Sequence, residues 1–465
     1  MRRLRLDGSG LTLVDLAEVA DRRVRVELAP AARRAMTAAR RVVDRAVRRG
    51  ARVYGVTTGF GNFADMTIPR DQIGALQQNL VRSHAAGVGR PLPDRVVRAM
   101  MVLRANALAK GHSGIRVETV EMLLAMLARD LLPVIPEQGS VGASGDLAPL
   151  AHLALTMTGE GQVRRGGRTL SARQALRTAR IRPVVLGAKE GLALVNGVQM
   201  SVAVGGLALQ RALRLAHVAD ICGAASLDAA RGSDAPFDPR IVEARPHPGA
   251  LASAANLRRL LAGSAIRESH RGCGKVQDNY ALRCMPQVHG AARDALAHAA
   301  EALEREMNSA TDNPLVFAPS GEILSGGNFH GAPVGLVLDY AAIAAADLAS
   351  ISERRIEKLV NPLLKLLCIP LKDHKTVVDR HDFPFADFLT GMVAFLLSAG
   401  FVGEHDSRRH AAPQHYAARD RKGRCRPLGR RDYGIEDHIG IAVFREQVLG
   451  SDVGVRGRGK RLNLR

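Results

Sequence analysis

Ala143, Ser144 and Gly145, followed directly by Asp146, form a tripeptide that can turn on itself and become an electrophile. Attack of the Gly145 amide nitrogen on the Ala143 carbonyl carbon, with loss of water, closes a five-membered ring. Loss of the Ser144 hydroxyl then leaves an exocyclic methylene. The product is a Michael acceptor, a chemical type that no unmodified side chain provides. The attack needs a sharply bent backbone, which small residues with glycine at the nucleophilic position permit. Asp146 stands next door as an acid that can shuttle the protons. Other serine chemistries fit poorly. There is no G-x-S-x-G around Ser144, and the glycines do not spell a G-x-x-x-x-G-K-[ST] phosphate loop.

The surrounding stretch 136–152, PEQGSVGASGDLAPLAH, resembles the signature of the aromatic amino-acid ammonia-lyase and aminomutase family. The cofactor of that family is 4-methylidene-imidazole-5-one (MIO), and the resemblance implies that it forms here from Ala143, Ser144 and Gly145. Further blocks carry the same resemblance. Residues 53–61, VYGVTTGFG, are similar to the N-terminal motif with the catalytic tyrosine, which falls on Tyr54. A phenol with a pKa near 10 acts as a base at neutral pH only where its anion is stabilised. Residues 79–89, NLVRSHAAGVG, place the substrate-selectivity position on Ser83-His84. Histidine-type members carry such a Ser-His pair and phenylalanine-type members carry apolar residues. His84 can hydrogen-bond an imidazole nitrogen, which an apolar side chain cannot.

Residues 191–199, GLALVNGVQ, resemble the NGTQ-type motif with Val198 in place of Thr, and Asn196 is implied as a substrate and cofactor contact. In 276–290, VQDNYALRCMPQVHG, the positions Gln277, Tyr280 and Arg283 match the family's site residues. Their i, i+3, i+6 spacing predicts one side of a helical turn. Arg283 suits a bidentate clamp on an α-carboxylate. Residues 325–330, SGGNFH, imply that Phe329 lies against the cofactor and assists its formation, while Ala332 stands where the family commonly has Glu. Residues 434–438, GIEDH, carry over to Glu436 as imidazole partner or auxiliary acid/base. Together Ser83-His84 and Glu436 favour L-histidine. The resemblance thus implies elimination of ammonia from L-histidine to trans-urocanate, the first step of histidine degradation, with no metal. Tyrosine ammonia-lyase or aminomutase chemistry with the same cofactor is the alternative within the family. An inactive scaffold with a basic binding surface is the alternative outside it.

The elements that must position these residues are mostly helical. The chain has 465 residues, is rich in Ala, Leu and Arg, lacks Trp, and is only 3% aromatic. That composition favours helix over strand and predicts a mainly α, long-helix bundle with a smaller mixed N-terminal region. The family resemblance implies the ammonia-lyase, fumarase/aspartase-like architecture. Apolar spacing predicts a helix over 31–49 capped by Gly50, an extended piece over 52–56, helices over 95–109, 115–132 and 147–157, and long helices over 197–218, 287–307 and 333–359. The helix over 147–157 would begin beside the Ala143–Gly145 loop, with its positive end toward the electrophile. The proposed regions are 1–110 with Tyr54 and His84, 111–362 with the electrophile loop, and 363–465, a divergent Arg/His-rich C-terminal region. From 363 to 433 almost none of the family pattern remains, and that region is read as divergent or partly out of frame. His405, His410 and His415 are spaced too poorly for one metal-binding helical face.

The formal charge of +21 could mark a polyanion partner. The absence of interleaved aromatics and of a nucleic-acid motif points instead to a solvated Arg-rich surface. Five cysteines without a C-x-x-C argue against a disulfide framework or zinc site. Read from the sequence, no apolar run reaches the length of a membrane span, so a cytoplasmic location is expected. The long helices would bury their apolar stripes against other chains. Family members are homotetramers whose sites combine several chains, so Tyr54 and Arg283 are expected from different subunits.

Overall fold

The computed structural model describes residues 2–360. Its Ala-rich stretches become three long helices, Gln199–Ala229, Met285–Met307 and Ala332–Val360, which pack against one another. The second helix shows why. Ala292, Leu296, Ala299, Leu303 and Met307 recur at helical spacing and all are buried, so one stripe faces the bundle. Pro286 sits in its first turn, where a missing N–H costs nothing. The helix Pro248–Leu261 lies on the same bundle. It approaches Met285–Met307 through Gly249 and Gly290, where a side chain on either would strike the backbone of the other.

The helix Asp94–Ala109 runs through the main core, and every residue from Val97 to Ala109 is buried. Small sheets surround it. Arg2–Leu6 pairs in parallel with Val24–Leu28, and Leu132–Pro133 joins the Gln162–Arg165/Arg168–Ser171 hairpin. Val88–Pro91 pairs antiparallel with Pro136–Gln138, and this small pair flanks the site. The helix Pro30–Arg49 ends on Gly50 in the left-handed region, as its sequence predicts.

Three expectations change. Residues 52–56 are not extended: the Val53 carbonyl accepts from the amides of Val56, Thr57 and Thr58, closing a turn. The helix expected over 115–132 is Val117–Ala128. It stops because Asp130 is left-handed and Leu132–Pro133 is taken into a sheet. Two helical stretches, Glu190–Ala229 and Ala332–Leu359, are long and apolar enough to cross a bilayer by length and composition. The first is mostly buried core. The second carries Asp339 and Asp347 within its apolar run and leaves Leu336, Tyr340 and Ile343 exposed.

Candidate active site

Residues 139–146 leave the Pro136–Gln138 strand and turn tightly before the helix Leu147–Met157, whose limits match those read from the sequence. The Ser144 amide donates to the Val141 carbonyl at 2.8 Å, and the Gly145 amide donates to Gly142 at 3.3 Å. Gly145 has φ 83°, and a Cβ there would meet the Gly197 oxygen at 2.7 Å and the Phe329 oxygen at 3.1 Å. Only glycine fits that conformation and that space. Ala143 and Ser144 are exposed while Gly145 and Asp146 are buried, so the reactive edge of the turn faces outward from a fixed base. The turn therefore fits a ring closed from Ala143, Ser144 and Gly145. The N-terminal end of the Leu147–Met157 helix adds a positive partial charge beside it.

Asp146 is fully buried, and burial pushes its carboxyl above the usual carboxylate range, opposed by hydrogen bonds from Ser140 and Ser201. The Ser140 hydroxyl donates to Oδ1, while Ser201 donates its amide to Oδ2 at 2.7 Å and its hydroxyl to Oδ1 at 2.8 Å. A carboxyl so held can take and return a proton beside Gly145.

Asn196 caps the short helix Glu190–Val195 and joins the same cluster. The amide of Asp146 donates to Gly197, the residue after Asn196, at 2.7 Å. The Asn196 side-chain amide donates to the Asn313 carbonyl at 3.2 Å, and its Oδ1 is buried without a donor. Beneath it lies Arg104, fully buried, donating to the Asn196 carbonyl at 2.7 Å, to Gln199 Oε1 at 2.8 Å and to the Thr311 carbonyl at 3.3 Å. Burial lowers the Arg104 pKa to about 10, so it stays a cation at neutral pH. The loop carrying Phe329 closes over the turn, with the Gly331 amide donating to the Gly142 carbonyl at 2.8 Å. Ala332, where the family commonly has Glu, is the first residue of the Ala332–Val360 helix.

His84 ends the helix Ile73–His84 and is half-buried. Its Nδ1 lies 2.9 Å from the Leu80 carbonyl and 3.1 Å from the Ser83 hydroxyl. A carbonyl only accepts, so in the tautomer that donates from Nδ1 to Leu80 the Nε2 atom is left as an acceptor. In that tautomer the His84 ring presents an acceptor, which an imidazole N–H can meet and a phenyl ring cannot. Tyr54 opens the 54–57 turn. Its hydroxyl accepts from the Gly61 amide at 3.4 Å, and its ring stands edge-on to Phe60. That turn rests on the Ile73–His84 helix through Gln77, which donates to the Gly55 carbonyl and accepts from the Leu192 amide.

Gln277, Tyr280 and Arg283 do not share a helical face. The helix there is only Tyr280–Arg283, and Gln277 lies in the irregular segment before it, because Asn279 is extended and starts the helix. Arg283 stacks over the Tyr280 ring at 4.5 Å. Among the described residues of one chain, no hydrogen bond or ring contact joins these three to Tyr54, His84 or the Ala143–Asp146 turn. Glu436 lies outside the described residues, as do His405, His410 and His415.

The model of the family described as aromatic amino acid lyase matches residues 11–376. The chain belongs to the aromatic amino acid lyase family. It is 57% identical over 373 residues to a histidine ammonia-lyase of Anaeromyxobacter sp. (strain K), covering 78% of this chain and 73% of that protein. It is 52% identical over 413 residues to a histidine ammonia-lyase of Sorangium cellulosum, covering 87% and 79% of the two chains. Among solved structures, histidine ammonia-lyase from Trypanosoma cruzi superposes with a TM-score of 0.72 at 42% identity, over 78% of this chain and 68% of that one. Tyrosine aminomutase from Streptomyces globisporus superposes with a TM-score of 0.75 at 36% identity, over 86% and 79%. The helical bundle is thus the fold of this lyase family.

In this aromatic amino acid lyase, Arg104, Ser140, Gln199 and Ser201 hold the site together, and sequence reading singled out none of them. Arg104 did leave a signal: it is a cation inside the run 99–109, whose one other polar residue is Asn106. A charge on a fully buried helix must have dedicated acceptors. Ser201 left none, since a serine in the first turn of a helix is commonplace.

Proposed function

We propose that this chain is an ammonia-lyase that converts L-histidine to trans-urocanate and ammonia. The observation that carries the substrate is the His84 ring, whose Nδ1 is committed to Leu80 and whose Nε2 is left as an acceptor for an imidazole N–H. The names and identities of the relatives support the same reading. The MIO group formed from Ala143, Ser144 and Gly145 supplies an electron sink that makes the α-amino group a competent leaving group.

The chain's own residues do the rest. Asp146 exchanges protons at the Gly145 edge of the turn, both while the ring closes and afterward. Tyr54 Oη takes the β-proton beside the imidazole. Asn196, braced by Arg104, offers its side-chain Oδ1 to the substrate amine. Arg283 clamps the α-carboxylate, with Gln277 and Tyr280 beside it, and Glu436 meets the far side of the ring. Phe329 closes over the turn and excludes water.

That no hydrogen bond or ring contact joins Arg283 to the Ala143–Asp146 turn among the described residues of one chain supports a site assembled from several copies, and with it a homotetramer. The exposed apolar side chains Leu336, Tyr340 and Ile343 fit a subunit interface on the Ala332–Val360 helix. This reading makes the enzyme cytoplasmic, without a membrane or nucleic-acid partner. The test is urocanate absorbance from purified protein and L-histidine, with Ser144→Ala as the control; production by the protein and none by the variant is the expected result.

A further inference from the structure

His152 closes the signature stretch 136–152, and the reaction described above gives it no task. It lies on the Leu147–Met157 helix, six residues beyond Asp146, or about 9 Å along the axis at ~1.5 Å per residue. Its ring reaches the selectivity segment. There Nε2 accepts the Gly87 amide at 3.1 Å. Nε2 is therefore the unprotonated nitrogen. Burial pushes the His152 imidazole below its ordinary range, which keeps that lone pair available at neutral pH.

Gly87 lies three residues after His84 and one before the Val88–Pro91 strand. That strand pairs Val88 with Gln138, which leads into the electrophile turn. The packing at this corner leaves little play. A Cβ on Gly87 would meet both the Gln138 oxygen and His152 Nε2 at 3.1 Å. A Cβ on Gly139 would meet Gly87 Cα and Ala148 Cβ at 3.1 Å. The strand pair fixes the outer side of Gly87, and His152 fixes the inner side against the helix that begins at Leu147. The selectivity segment is thus clamped between the two ends of the electrophile loop.

We propose that His152 is a specificity-positioning residue: by holding the Gly87 amide, it sets the distance between the His84 ring and the turn at Ser144. It does not touch substrate. The proposal rests on the reading that His84 recognises the imidazole of L-histidine. Without the His152 acceptor, the Gly87 amide is left half-buried and unpaired, and the His84 segment relaxes away from the turn. The turn itself keeps its own hydrogen bonds to Gly197 and Ser201 and still cyclises.

The experiment compares the full-length protein with His152→Leu and His152→Gln. Three quantities are measured: steady-state turnover of L-histidine, calorimetric affinity for L-histidine and L-phenylalanine, and intact mass. Loss of one hydrogen bond at this point predicts a KM about tenfold higher in H152L, with kcat changed less than about threefold. The preference for L-histidine over L-phenylalanine falls in parallel, while the mass remains two water molecules short of the unmodified chain. H152Q, whose amide oxygen can reach the Gly87 N–H, recovers most of the KM and the preference. Should H152L not fold, His152→Asn takes its place, because its side chain is too short to reach Gly87. A variant without the acceptor that keeps wild-type KM and preference overturns the proposal. So does one that loses cyclisation and kcat together, since that is a structural role alone. A wild-type protein with no preference for L-histidine overturns the substrate reading first and the proposal with it.

Discussion

The carboxylate of Asp146 is held at both oxygens by Ser201, whose amide reaches Oδ2 at 2.7 Å and whose hydroxyl reaches Oδ1 at 2.8 Å. The first turn of the Gln199–Ala229 helix thereby fixes the acid that adjoins Gly145. Asp146→Asn keeps the shape but cannot shuttle a proton. General acid–base assistance is worth about 10²–10⁴-fold, so ring closure slows by that factor. Intact mass of freshly folded protein reads this directly: the wild type is short by two water molecules, and D146N retains them.

His84 presents an acceptor to the substrate ring. Replacing it with Leu leaves an imidazole N–H without a partner, at a cost of about 1–3 kcal/mol. Turnover measured as kcat/KM for L-histidine is expected to fall roughly 10–100-fold, while the ratio of L-phenylalanine to L-histidine turnover rises. An unchanged ratio would remove His84 from substrate recognition.

Tyr54 and Arg283 are expected to meet only between chains. Tyr54→Phe and Arg283→Met are each expected to be nearly inactive alone. Co-expressed in one cell, they form mixed oligomers in which some sites receive both intact residues. Activity of the mixture well above either variant is the expected result. A mixture no better than its parts would place the whole site in one chain.

Lys189 and Asp312 form a fully buried ion pair at 2.7 Å beneath Asn313, the residue that holds the Asn196 side chain. Burial lowers the Lys189 pKa, with Asp312 opposing that shift. Asp312→Asn leaves the ammonium uncompensated, at a cost of about 3–5 kcal/mol. Urea unfolding is expected to show that loss, accompanied by reduced activity as Asn196 loosens.

Acid weakens the bundle in two stages. Burial holds His289 below the ordinary imidazole range, although Asp220 accepts from its Nδ1 at 2.8 Å and opposes this, and Arg355 and Arg293 stand nearby. The folded ring refuses a proton that the unfolded chain takes up below about 6.5, so stability falls as pH drops through that value. For Asp220, burial opposes ionisation, but hydrogen bonds from His289, Asn256 and Ser253 outweigh it and hold the carboxyl low. Its contribution is complete above the ordinary carboxylate pKa near 3.9 and is lost as pH falls toward the folded value. Melting temperature against pH is expected to decline first between pH 7 and 5. His289→Gln flattens that first decline.

Much of this was legible in the sequence wherever local pattern decides. The helix after Asp146 and the apolar stripe from Ala292 to Met307 were visible because periodicity and burial coincide there. The electrophile turn was visible because few tripeptides can cyclise. Spacing misled at Gln277, where an i, i+3, i+6 pattern crosses the start of a four-residue helix. It misled at 52–56 because β-rich composition there closes a turn on the Val53 carbonyl instead. The partners of Arg104 and His152 were out of reach for another reason: they are 92 and 65 residues away in the chain. Only the fold reveals which acceptor or donor a buried polar group has found.

The most direct test is near-ultraviolet absorbance of the full-length protein incubated with L-histidine, read beside its Ser144→Ala variant. The account predicts accumulation of urocanate with the protein and none with the variant. A flat trace from protein whose mass is already two water molecules short would contradict L-histidine as the substrate.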